Sequence, residues 1–105
     1  MSYEPLWDDE IAETMVGATI LVGVIHLRAD GSERDRVQMH GVIDQVTKSG
    51  VTIRLEGERA GETYSLPPDL NAFEPAAPGA YRLHSTGEVI EDPDYTTSWS
   101  ITNPD

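Results

Sequence analysis

Residues 18–28, ATILVGVIHLR, are apolar at almost every position and are followed at once by Asp30-Gly31. In an extended chain Ile20, Val22 and Val24 point one way, and Leu21, Ile25 and Leu27 point the other. A strand apolar on both faces is central, covered on both sides, or it changes face at a bend. Gly23 lies mid-run and offers such a bend. Asp-Gly is a strong two-residue hairpin signal, because both central positions of a type I′ turn take positive φ. The run and the turn predict an antiparallel hairpin whose register sets His26 opposite Asp35 and keeps it away from His40.

The return strand is predicted over residues 36–47. Val37, Met39 and Ile43 share one phase and Val42 and Val46 the other, with the slip expected as a bulge at Gly41. A turn at Lys48-Ser49-Gly50 leads to a cleanly alternating strand, in which Val51, Ile53 and Leu55 interleave with Thr52, Arg54 and Glu56. A polar loop spans residues 58–62, and a short strand over 63–66 stops at Pro67-Pro68. Proline lacks an amide donor, so the proline-rich stretch 67–79 is excluded from a central strand. It reads as an ordered crossing loop with one helical turn over 69–73. Residues 81–84 and 88–91 flank Ser85-Thr86-Gly87 as a second small hairpin. Tyr95, Thr97, Trp99 and Ile101 then alternate with small polar residues in a final strand that turns Tyr95 and Trp99 inward.

Before the first strand, residues 4–14 predict a short helix. Pro5 suits its first turn, Asp8, Asp9 and Glu10 complement the positive end of its dipole, and Trp7, Ile11 and Met15 form a narrow apolar stripe. So short a helix needs something to pack against. The expected organisation is one domain over 1–105: an acidic N-terminal helix at 1–14, a barrel core at 15–66, the proline-rich loop at 67–79 and C-terminal strands at 80–105.

Charge narrows the partners. Seven Lys and Arg face nineteen Asp and Glu, for a formal charge of −12. Non-specific nucleic-acid affinity comes from basic side chains displacing counterions. Arg28, Arg34 and Arg36 are interleaved with Asp30, Glu33 and Asp35, and Arg54 and Arg59 sit among Glu56, Glu58 and Glu62, so no window is basic and nucleic acid and anionic membrane are disfavoured. There are no cysteines, which excludes disulfides, thiolate metal sites and cysteine nucleophiles. The acidic start does not read as a signal peptide, and the longest apolar stretch, 15–27, is about half a membrane span. A cytoplasmic protein is expected.

The order of acidic helix, long bent strand, Asp-Gly hairpin, second bent strand and clean third strand resembles an SH3-like or Sm-like small barrel over residues 5–66. The resemblance implies a mostly β fold, an antiparallel barrel with a short N-terminal helix and a C-terminal hairpin or strand extension. The second half resembles an uncharacterised family of small acidic bacterial proteins through Leu66-Pro67-Pro68-Asp69-Leu70, Pro78-Gly79-Ala80-Tyr81-Arg82-Leu83, Ser85-Thr86-Gly87-Glu88, and Pro93-Asp94 followed by Trp99. That family carries no assigned activity. The Sm-like comparison implies an RNA-binding ring, and this chain departs from that pattern in having no basic window.

Chemistry-bearing residues are scattered. His26, His40 and His84 fall in three predicted strands without metal-ligand spacing, so they read as structural and no metal or cofactor is expected. The acids of 8–13, 56–62 and 91–94 read as solvated surface; Asp92-x-Asp94 is only a fragment of a calcium loop. Nucleophile-elbow, P-loop and dinucleotide motifs are absent, which points away from an enzyme. The candidate partner-binding residues are Trp7, Asp8, Asp9 and Glu10 of the N-terminal segment, with Tyr64, Phe73 and Tyr81 bracketing the proline loop as core or as a shallow groove. The expected function is a non-catalytic acidic protein-binding module, of inhibitor or immunity type, for a basic partner. A self-assembling Sm-like oligomer with a structural or RNA-related role is the alternative, and a small-molecule-binding enzyme the second.

Overall fold

The computed structural model describes residues 9–84 and 86–102. Helix α1 (Asp9–Met15) leads into β1 (Thr19–Leu27), β2 (Glu33–Thr47), β3 (Gly50–Leu55) and β4 (Thr63–Leu66). After a 3₁₀ turn at Leu70–Ala72 come β5 (Phe73–Pro75), β6 (Ala80–Arg82), β7 (Val89–Glu91) and β8 (Tyr95–Thr102). The fold is mostly β, with one six-stranded sheet in the order β4-β3-β2-β1-β8-β5 and a two-stranded sheet of β6 and β7.

The hairpin register agrees with the sequence: Thr19 pairs with Val42 and His26 with Asp35. The turn does not. Arg28 N donates to Ser32 O and Gly31 N to Arg28 O, and of the two turn residues only Gly31 has positive φ, at 89°. The loop is therefore the three-residue type, with glycine forming the bulge. Asp30 serves it through its side chain, accepting bonds from Ser32 N at 2.9 Å and Ser32 Oγ at 2.6 Å.

The expected bulge at Gly41 also moves. The register of β2 against β3 slips between Ile43 and Gln45, so the extra residue is Asp44. Ile43 and Val46 thereby both face the core. Gly41 serves a different need: it is buried opposite Leu55, and a Cβ there would run into the Arg54 carbonyl.

The core lies on one face of the large sheet. Ile20, Val22 and Val24 of β1, Ile43 of β2 and Val51 and Ile53 of β3 are almost fully buried, joined by Leu66, Leu70, Phe73 and Met15. The helix contributes Ala12 and Met15, while Ile11 is exposed. The stripe through Trp7, Ile11 and Met15 is thus not the buried face: Trp7 lies outside the described residues, and Ile11 turns outward. The cause is local, because Gly17 N donates to Ile43 O and Ile43 N to Ala18 O. These bonds pin the helix end to β2 and turn Ala12, not Ile11, inward with Met15.

A closed antiparallel barrel is not what the strands form. No pairing joins β4 to β5 among the described residues, and β8 runs parallel to β1, with Ile20 beside Tyr95 and Val24 beside Trp99. The parallel pair follows from a clasp at its start. Asp94 Oδ2 accepts from Thr19 N at 2.9 Å and Thr19 Oγ1 at 3.1 Å, and Asp94 N donates back to Thr19 O. The proline loop also takes part, as Phe73–Pro75 pairs with the end of the sheet, where a proline is tolerated at an edge.

The open sheet is nonetheless curled. A flat six-stranded sheet would hold its edge strands about 24 Å apart. The linker from Leu66 to Phe73 joins those edges and, containing the 3₁₀ turn, reaches about 20 Å at full stretch. The sheet must bend toward its own core side chains to satisfy that linker.

Candidate functional site

Strand β1 is apolar on both faces, so its second face also needs cover. Leu21, Ile25 and Leu27 are half-buried there. The β6–β7 hairpin approaches this face over β2. Its Leu83 is fully buried yet stands apart from the main core cluster. His84 N donates to Gln38 Oε1 at 2.5 Å, and Glu88 Oε2 meets His40 Nε2 at 3.0 Å. Both ties go to side chains of β2 that point away from the main core. The hairpin therefore seats Leu83 over the outer face.

The His40–Glu88 pair is half-buried on both sides and has a made-to-fit neighbour. Gly57 has φ 71°, and a Cβ on it would collide with the Glu88 carboxylate and the His40 ring. The His40 hydrogen bond holds the Glu88 carboxyl below the ordinary glutamate range, with further help from Thr86. Sequence reading left His40 a plain structural residue. Its partner lies 48 positions away, and no local spacing signals such a pair.

Beside this clamp lies a cleft of about 520 Å³. Its floor is set by strand register: Gly23 pairs with Gln38 on one side and Ser98 on the other. The central position has no side chain, so a trough opens between its neighbours. One step along, Ile25 pairs with Arg36 and Ser100; Ile25 and Arg36 line the trough, as does His84 from the hairpin. Space is available at the floor, since a Cβ on Gly23 would have only Ser98 Oγ nearby, at 3.8 Å. The pairing of β1 with both neighbours continues without interruption through Gly23.

The residues singled out from sequence do not gather at this cleft. Trp7 and Asp8 lie outside the described residues. Asp9 and Glu10 are exposed in the first turn of α1. Tyr64 is half-buried against the core in β4. Phe73 is buried, with its ring 6.3 Å from that of Trp99 in an edge-on arrangement. Tyr81 is half-buried and donates its hydroxyl to Ala77 O at 2.6 Å, which pins the proline stretch to the hairpin. Phe73 and Tyr81 are thus engaged in holding the loop down.

The acids of 92–94 have structural partners as well. Asp94 clasps Thr19, and Asp92 Oδ1 accepts from Gly79 N at 2.8 Å. Reading them as solvated surface overlooked backbone donors that only tertiary folding delivers. Every other described Asp and Glu is exposed except Asp69 and Glu88. Ion pairs engage Glu33, Asp44 and Glu88, while Glu13, Glu56, Glu58, Glu62, Glu74 and Glu91 have no ionic partner among the described residues. Among the described residues no three His, Asp or Glu side chains group to hold a metal ion, and no helix is long and apolar enough to cross a membrane. No protein-family model, curated protein or solved structure matches the chain.

Proposed function

We propose that the protein is a non-catalytic binding module that docks a basic protein partner, in the manner of an inhibitor or immunity protein. The observation that carries the reading is the exposure of nearly all its described carboxylates, most of them without a counter-charge, on a body with a formal charge of −12. Such a field speeds encounter with a positively charged surface and repels phosphate backbones. The curl of the sheet supports reading that body as an open relative of the SH3-like and Sm-like small barrels. The site of action would be the cytoplasm.

The test immobilises the protein and passes cell extract over it at low and at high ionic strength. A discrete basic protein retained at low salt, released by salt, and recaptured when purified supports the reading. Retention of nucleic acid in its place, or of no protein at either salt, overturns it.

A further inference from the structure

We propose that the cleft over Gly23 is a binding site for a small organic monocarboxylate with an apolar body. The claim is separate from the protein-docking reading and rests on different atoms. Three polar groups lining the cleft have hydrogen-bonding capacity that nothing among the described residues takes up. The Arg36 guanidinium is held by Glu33 through Nε alone, at 2.5 Å, which leaves both Nη groups to donate. The Ser98 hydroxyl and the His84 ring likewise have no partner among the described residues. Gln38, which also lines the cleft, accepts from the His84 amide.

Charge selects the ligand class. In a chain with nineteen acids the cleft is lined by none, and Arg36 is its one formally charged side chain. Polar groups that line one cleft beside a guanidinium suit a carboxylate, which can accept from the two Nη groups side by side. Glu33 stands against the same guanidinium and offsets part of its charge, which favours one negative charge over the two of a phosphate monoester. Ile25 adds half-buried aliphatic wall, and about 520 Å³ is the room a metabolite-sized molecule needs. The bare floor at Gly23 lets a flat body lie on the strand.

Benzoate and its neutral isostere benzamide, titrated while backbone amide resonances are followed, test the claim. Benzoate should shift the amides of Gly23, Gln38 and Ser98 saturably, and benzamide should bind about tenfold more weakly or worse. Arg36→Gln removes the charge at an exposed side chain and should cost about tenfold in benzoate affinity. Gly23→Leu should fill the trough and abolish binding; if that variant fails to fold, the Arg36→Gln comparison decides alone. A short peptide ending in phenylalanine, with free and with amidated C-terminus, separates a free small acid from a chain terminus as the natural source. Equal binding of benzoate and benzamide, no binding of either, or an unchanged benzoate affinity in Arg36→Gln overturns the proposal.

Discussion

Glu88 and Gly57 show how much one tertiary contact can ask of a residue. The carboxyl of Glu88 lies below its ordinary value of 4.5, first because of the His40 hydrogen bond. A group whose pKa is lowered by folding stabilises the fold above its unfolded value, and that contribution drains away as pH falls through the folded value. Stability measured by urea unfolding should therefore fall as pH drops below about 4.5, and Glu88→Gln should flatten that acid limb while lowering stability near neutrality. An identical acid limb in the variant would mean that the pair contributes nothing. Gly57→Ala should flatten the same limb, because its Cβ would displace the carboxylate. It should also cost about 1–2 kcal/mol from the left-handed backbone alone.

At the scale of elements, the parallel pairing of β1 and β8 hangs on Asp94, which closes a loop between residues 75 positions apart. Asp94→Ala should cost about 1–2 kcal/mol in chemical unfolding, the worth of the hydrogen bonds lost. Amide exchange should quicken first at the β1–β8 junction, around Thr19 and Tyr95; uniform quickening across the sheet would argue against a local clasp. The elements near this junction also mark where sequence reading stops. The β1–β2 register and the alternation of β3 and β8 were legible because each is written in consecutive residues: Ile20, Val22 and Val24 bury one face, and Val51, Ile53 and Leu55 continue it. The direction of β8 was not legible, because Tyr95 to Ile101 alternate identically whether the strand runs with β1 or against it. Nor was the site. Gly23 could be seen as a break in an apolar run, but Gln38, Ser98 and His84 reach it only through register and through the hairpin folding over the outer face.

The molecule as a whole carries its charge on a body of 36 × 35 × 26 Å. The screening length is about 30 Å at 0.01 M salt and about 3 Å at 1 M. At the low end every exposed carboxylate feels nearly all the others, and the folded state, being the more compact, bears more of that repulsion than the unfolded chain. Thermal stability should therefore rise as sodium chloride is added. Reversing charge at an exposed acid without an ionic partner, as in Glu62→Lys or Glu74→Lys, should raise the midpoint at low salt. The gap from the parent protein should close at high salt, where the repulsion is already screened. The half-buried pair would behave differently: Glu88→Gln should lower stability at both salt concentrations, because its loss is a local contact and not a share of the field. A midpoint indifferent to salt in the parent protein would mean that the excess charge is balanced within the fold. The steering of a basic partner would then lose its physical basis, while the cleft over Gly23, which depends on Arg36 and its near neighbours, would be untouched.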